Sequence, residues 1–210
     1  MLRIALTKGR LENSTVDLFE KMGLDVSAMR AKGRKLILPV GEEIVVVLAK
    51  APDVITYVEH GAVDLGVVGK DTIAERGGSF YEVLDLGFGR CKFALATRAG
   101  KDFYEGYEVK RLASKYPNVT RNFFAEKGMD VDIIKIEGSV ELAPLLNVAD
   151  GIVDIVETGT TLRENGLVAV EDVMSISARL IVNTASMKLR KNEINDFIDQ
   201  VELLTRGEEA

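Results

Sequence analysis

The stretch Gly151-Ile-Val-Asp-Ile-Val-Glu-Thr-Gly-Thr-Thr-Leu-Arg-Glu-Asn-Gly166 decides how this chain is read. An apolar run, Gly151–Val156, has the length and β-branched content of a buried strand. It carries Asp154 and runs into Glu157. A small hydroxyl-rich turn, Thr158-Gly159-Thr160-Thr161, follows, and the segment from Thr158 to Asn165 reads as a helix capped by Gly166. The first amides of such a helix lack intrahelical acceptors, and the helix dipole turns its positive end the same way. Gly159 lets a ligand approach the backbone, and the threonine hydroxyls add donors. Together these residues form a phosphate cradle. It is not a Walker A loop, because no Gly-Lys-Ser/Thr is present. Acids just ahead of a cradle suit ribose hydroxyls or a magnesium-bound diphosphate. The plainer reading is a strand-to-helix turn with threonine caps.

The same unit recurs on both sides. Leu2–Leu6 reads as a strand, followed by a helical stripe of Leu11, Thr15, Leu18, Phe19 and Met22 that Gly23 ends. Lys35–Val40 and Glu43–Ala49 are β-like runs around a turn at Gly41. Pro52 opens a helix over Asp53–His60, Asp64–Val68 is a strand, and Lys70–Glu75 a short helix. Cys91–Thr97, Arg111–Lys115 and Asp132–Ile136 read as strands. Pro117–Lys127 and Val140–Leu146 read as helices. Ile194, Phe197, Ile198, Val201 and Leu204 form one stripe of a terminal amphipathic helix. Strand-helix alternation predicts an α/β protein with largely parallel sheet. Two long apolar extended segments, Leu84–Leu95 and Val173–Val182, read as crossings between two lobes. One lobe is then 1–90 plus 179–210, and the other, 91–178, carries the cradle.

Composition narrows the function. Of 210 residues, 47% are hydrophobic and 29% charged, which supports a folded core and excludes intrinsic disorder. One Cys and one His exclude a disulfide framework, a Cys-rich zinc site and His metal clusters. The net charge of −6 argues against a nucleic-acid-coating protein. The polar start MLRIALTKGRLENS does not read as a signal peptide, and no apolar run approaches the roughly 20 residues of a membrane span. The chain reads as soluble and cytoplasmic.

Other strand ends offer further candidates. Lys8, Gly9 and Arg10 follow the first strand and could hold polyphosphate or form a solvated turn. Gly69 and Asp71 close Gly61-Ala-Val-Asp-Leu-Gly-Val-Val-Gly69, where Gly66 and Gly69 allow close packing or close ligand approach. Arg90 and Lys92 flank Cys91 after Gly87-Phe-Gly89. Gly138-Ser139 opens a helix, with a Ser cap as the plain account. His60 suits a helix C-terminus, Cys91 a core strand, and the basic run Arg30, Lys32, Arg34 and Lys35 a solvated loop. Asp196, Asp199, Glu202, Glu208 and Glu209 read as a solvated face.

The cradle resembles the 5-phosphoribosyl diphosphate (PRPP) loop of phosphoribosyltransferases, with one departure. The commonest version has two adjacent acids where Val153 and Asp154 stand, so a nucleobase-salvage enzyme is not indicated. Nearly end to end, the chain resembles the ATP phosphoribosyltransferase family in its short form. The match includes Leu6-Thr-Lys-Gly-Arg-Leu11, Asp53 with Thr56-Tyr-Val58, Gly61-Ala-Val-Asp-Leu-Gly66 and Gly87-Phe-Gly-Arg-Cys91. It continues through Lys115-Tyr-Pro-Asn118, Phe124-Ala-Glu-Lys-Gly128, Gly138-Ser-Val-Glu-Leu-Ala-Pro-Leu-Leu146, Asp154-Ile-Val-Glu-Thr-Gly-Thr-Thr-Leu162 and Glu164-Asn-Gly-Leu167. At Lys50 the family often has Arg, so the charge is kept and the bidentate fork lost.

The resemblance implies a two-lobed fold similar to type II periplasmic binding proteins, with the ligand cleft between lobes. It also implies transfer of phosphoribose from PRPP to N1 of the ATP adenine, the first step of histidine biosynthesis, with release of diphosphate. By this resemblance Asp154, Glu157, Thr158, Gly159, Thr160, Thr161 and Leu162 bind PRPP. Lys8, Gly9, Arg10, Lys50, Gly69, Asp71 and Arg90 bind ATP or diphosphate. Magnesium rides on PRPP with no protein ligand, and no protein nucleophile is required. Short forms work as hetero-oligomers with a regulatory subunit similar to histidyl-tRNA synthetase, so an exposed apolar face is expected. A solute-binding protein of the same fold, a free-base phosphoribosyltransferase and a non-catalytic interaction subunit are the alternatives.

Overall fold

The computed structural model describes residues 1–206, and the last residues of the expected first lobe, Glu208 and Glu209 among them, lie outside that range. The chain divides into two compact units, Met1–Gly89 with the chain from Ser177 onward, and Arg90–Ile176. The first begins with β1 (Leu2–Thr7), α1 (Arg10–Lys21), α2 (Ser27–Arg30), β2 (Ile37–Val40) and β3 (Ile44–Ala49). It continues with α3 (Ala51–Glu59), β4 (Leu65–Gly69), α4 (Lys70–Arg76) and β5 (Tyr81–Asp85). The second holds β6 (Cys91–Arg98), β7 (Lys110–Ser114), α5 (Pro117–Glu126), β8 (Val131–Lys135), α6 (Leu142–Leu145), β9 (Gly151–Val156), α7 (Thr160–Glu164) and β10 (Leu167–Ile176). The chain then returns through β11 (Ala178–Val182), α8 (Thr184–Leu189) and α9 (Lys191–Arg206).

The first unit is a six-stranded sheet in the order β2-β3-β1-β4-β11-β5. β4 is buried along its whole length, as a strand covered on both faces must be. One face carries Ile4, Leu6, Phe19, Ile194 and Phe197 under α1 and α9. The other carries Ala5, Val54, Ile55, Val58 and Ile181 under α3. α3 sits so close that a Cβ on Gly66 would lie 2.8 Å from the Val54 and Val58 methyls. Packing is therefore what requires this glycine.

The second unit is a five-stranded sheet in the order β10-β6-β9-β7-β8. Ile152, Val156, Val140 and Leu162 fill one face, beneath α6 and α7. Phe124 of α5 is fully buried and leans on Phe103, ring centroids 5.9 Å apart.

Both sheets are mixed rather than mostly parallel. Parallel pairing is confined to β3-β1-β4 and to β8-β7-β9. β5 pairs antiparallel with β11, and β6 with β10, because the two crossings run in opposite directions. The β2–β3 hairpin adds a further antiparallel edge. Strand-helix periodicity reports the parallel units and is blind to the direction of return strands.

Candidate functional site

In the second unit β9 lies between β6 and β7, so its carboxyl end is flanked on both sides. Period-2 alternation puts Ile152, Asp154 and Val156 on one face. Ile152 and Val156 enter the core there, and Asp154 between them is half-buried. Burial raises the Asp154 carboxyl above its ordinary value. A hydrogen bond from the Ile155 backbone and the charge of Lys115 work against that shift, while the charge of Glu141 adds to it.

Beyond Val156 the chain turns through an exposed loop. Gly159 adopts φ +70°, the left-handed region that disfavours L side chains, and caps α7. Leu162 sinks into the core and anchors the loop, leaving only its backbone to a ligand. The amides of Thr161 and Leu162 have no acceptor among the described residues. The hydroxyls of Thr158 and Thr160 lie 3.0 Å apart. Arg163 donates to the Thr158 carbonyl at 3.0 Å and to the Thr160 hydroxyl at 3.0 Å, closing the loop from behind. The loop, Asp154 and Glu141 line one cavity of about 300 Å³. It holds all seven residues predicted for PRPP: Asp154, Glu157, Thr158, Gly159, Thr160, Thr161 and Leu162.

In the first unit the parallel register gathers three strand ends. Thr7 pairs with Ala49, and Leu6 with Val67, so Lys8, Lys50 and Gly69 emerge along one edge. Helices α1, α3 and α4 start at that same edge, after Gly9, Lys50 and Gly69. Three helix N-termini and the exposed side chains of Lys8, Arg10 and Lys50 make it attractive to anions. Lys8 and Lys50 form no ion pair among the described residues. Asp71 serves its own helix, accepting a hydrogen bond from the Thr72 backbone, and burial raises its carboxyl. A Cβ on Gly69 would lie 2.0 Å from Asp71 Oδ1, so the glycine makes room for that carboxylate. Arg90, predicted with this group, is instead the first residue of the second unit, ahead of β6.

Several residues escaped the sequence. Glu12, at the third position of α1, is 3% exposed and accepts the Gly9 amide at 3.3 Å. It also binds the ammonium of Lys32, which ties the basic run 30–35 to the Lys8-Gly9-Arg10 turn. The signal was present as half of a capping box, with Glu three residues after Gly9. Arg163 could have been found from its i+3 spacing to Thr160, whereas Glu141 comes from a distant turn and left no local sign. His60 caps α3 with Nδ1 2.9 Å from the Thr56 carbonyl, as a helix-end histidine should. Cys91 is half-buried rather than core, because it begins β6 at the unit boundary. Lys92 pairs with Asp172. No helix is long and apolar enough to cross a membrane among the described residues.

Fold and loop together define a class: two-unit α/β proteins of the periplasmic-binding type that carry a loop with acceptor-free amides at a strand end. The fold is shared with the periplasmic aliphatic sulphonate binding protein of Escherichia coli, at a TM-score of 0.60 and 12% identity over 99% of this chain and 74% of that one. A closer likeness is to the ATP phosphoribosyl transferase (HisG:HisZ) complex of Thermotoga maritima. There the TM-score is 0.81 and identity 32%, over 99% of this chain and 100% of that one. Residues 50–203 match the family described as ATP phosphoribosyltransferase (HisG). A Clostridium acetobutylicum protein named ATP phosphoribosyltransferase is 62% identical over 95% of this chain and 94% of its own length. One from Clostridium botulinum is 55% identical over 98% of each. The chain belongs to the ATP phosphoribosyltransferase family.

Proposed function

We propose that this chain joins N1 of the ATP adenine to C1 of the PRPP ribose and releases diphosphate, opening histidine biosynthesis, and that the loop after β9 grips PRPP. Family membership supports the reaction. The observation that carries the site is the pair of acceptor-free amides at Thr161 and Leu162, set in a cavity with the threonine hydroxyls. The 5′-phosphate rests on those amides and on the Thr158, Thr160 and Thr161 hydroxyls, with Gly159 giving close approach. Asp154 and Glu157 face the sugar. Lys8, Arg10 and Lys50 offset the charge of ATP and diphosphate, Gly9 and Gly69 shape the turns that present them beside Asp71, and Arg90 adds a cation from the second unit.

Displacement at an anomeric carbon builds positive charge on the sugar and negative charge on the leaving diphosphate. Fixed donors and cations lower the barrier by position and electrostatics, with no protein nucleophile. Magnesium, carried on PRPP, neutralises the diphosphate when bound. Among the described residues no group of three His, Cys, Asp or Glu side chains is arranged to hold a metal. Two anionic substrates meet a chain of net charge −6, which requires cations concentrated where they bind.

A solved relative is a chain of a HisG:HisZ complex, covered along its whole length by this chain, which supports a hetero-oligomer with a regulatory subunit. Leu189 and Leu203, 84% and 78% exposed near the end of the chain, offer apolar surface for such a partner. A cytoplasmic location is our reading, in keeping with a biosynthetic role. The test is an ultraviolet assay for PRPP-dependent product from ATP, run with and without the regulatory subunit. Product from ATP and none from free adenine is expected; turnover of adenine alone, or no turnover in either assembly, contradicts the reading.

A further inference from the structure

The loop after β9 has a cation of its own. Arg163 is the fourth residue of α7, exposed, and forms no ion pair with a carboxylate among the described residues. Its two terminal nitrogens both engage the loop instead. Nη1 donates to the Thr158 carbonyl and Nη2 to the Thr160 hydroxyl, each at 3.0 Å. A guanidinium has five donors and no acceptor, so the Thr160 oxygen can only receive from it. The Thr158 oxygen has a fixed donor too, the Thr160 amide at 3.4 Å. The two hydroxyls lie 3.0 Å apart and both line the loop cavity.

This arrangement decides where two protons go. Each hydroxyl oxygen already receives from a donor that is not the other hydroxyl. Neither therefore needs its neighbour's proton, and both protons can turn to one anion without leaving an oxygen unsupplied. Without the guanidinium, the Thr160 oxygen has the Thr158 proton as its remaining donor among the described residues. That proton is then diverted sideways, and the pair offers a ligand one hydrogen bond in place of two. We propose that Arg163 is a positioning residue for the phosphate of PRPP: by supplying the Thr160 oxygen, it releases the Thr158 and Thr160 protons together to the same anion. The inference rests on the reading of the loop as a PRPP site and concerns the direction of its hydroxyls. Arg163 itself touches no ligand. Hydroxyl donation to a charged oxygen is among the stronger hydrogen bonds, so redirecting one proton is measurable.

Isothermal titration of PRPP into the full chain, arranged as a double-mutant cycle, tests the proposal. Thr158→Ala weakens PRPP, as a loop residue that holds the ligand must. Arg163→Ala weakens PRPP by about tenfold in the wild-type background, the low end for one bond to a charged group. In the Thr158→Ala background the same change costs less than about twofold, because no Thr158 proton remains to be diverted. Arg163 does not touch the Thr158 hydroxyl, so a role limited to supporting the loop would cost the same in both backgrounds. Arg163→Lys, still charged and donor-only, binds more tightly than Arg163→Gln, whose amide oxygen can itself accept the Thr160 proton. Should Arg163→Ala fail to fold, Arg163→Gln completes the same cycle. Equal changes in the two backgrounds, none included, overturn the inference while the loop keeps its ligand, and so does Arg163→Lys binding as weakly as Arg163→Gln. If wild type does not bind PRPP, or Thr158→Ala binds it as wild type does, the loop assignment itself falls, and this inference with it.

Discussion

Replacing Gly159 by alanine tests whether the loop's shape, rather than its composition, creates the anion site. At φ +70° an L residue costs about 1–2 kcal/mol. The new methyl would lie 3.3 Å from Arg163 Nη1 and 3.8 Å from a Val156 methyl. The first contact displaces the guanidinium that holds both the Thr158 carbonyl and the Thr160 hydroxyl. Backbone strain therefore dominates, and loss of the Arg163 clasp adds to it. The binding-competent loop becomes a minor population, and apparent affinity falls in proportion. A penalty of about 1–2 kcal/mol weakens PRPP by about 5- to 30-fold. Isothermal titration reads that loss directly. Global melting should change by no more than a few degrees, since about 1 kcal/mol moves a chain of this size by about 2–4 °C and the strain is confined to one exposed turn. PRPP affinity within twofold of wild type would refute the reasoning. A collapse of the melting temperature would assign Gly159 to the fold instead.

Replacing Thr158, Thr160 and Thr161 together by alanine should weaken PRPP by at least about 2 kcal/mol, given about 1.5–3 for each bond to a charged group and partial overlap; unchanged titration curves would count against the cradle. Lys8→Ala should raise the KM for ATP without lowering the melting temperature, because Lys8 has no ion-pair partner to orphan among the described residues; lost stability with normal kinetics would make it structural. Lys50→Ala should weaken ATP while slightly stabilising the protein, since Lys50 sits at the positive end of α3; calorimetric melting checks the sign. Asp154→Asn separates stability from binding. Burial raises the Asp154 carboxyl, so the folded state is penalised once pH rises through that elevated value, and no penalty exists below the ordinary 3.8. The variant should therefore melt higher than wild type at pH 7, lose that advantage near pH 3, and bind PRPP more weakly; a lower melting temperature at pH 7 would reverse the sign.

The parts of the fold that local rules govern were legible. Gly23, Gly61, Gly128 and Gly166 follow helices with positive φ, as their positions after apolar stripes required. β9 spans Gly151–Val156, the run picked out by its composition. Short elements were missed. α8 lacks an apolar stripe, although Asn183 caps it by accepting from the Ala185 and Ser186 amides. The helix expected over Val140–Leu146 shrinks to Leu142–Leu145, with Pro144 inside it and only turns on either side. Strand direction was beyond reach, because an antiparallel return strand and a parallel one share the same alternation. At the candidate site the turn residues announced themselves through spacing. Glu141, Lys115 and the Glu12–Lys32 pair did not, because each is brought in by tertiary contact from another element.

The most direct measurement is a crystal structure of the protein soaked with PRPP and magnesium. The 5′-phosphate oxygens should lie about 3 Å from the amide nitrogens of Thr161 and Leu162, at hydrogen-bond distance. A phosphate seated instead at the Lys8-Gly9-Arg10 turn, with the loop after β9 empty, would contradict the assignment of that loop.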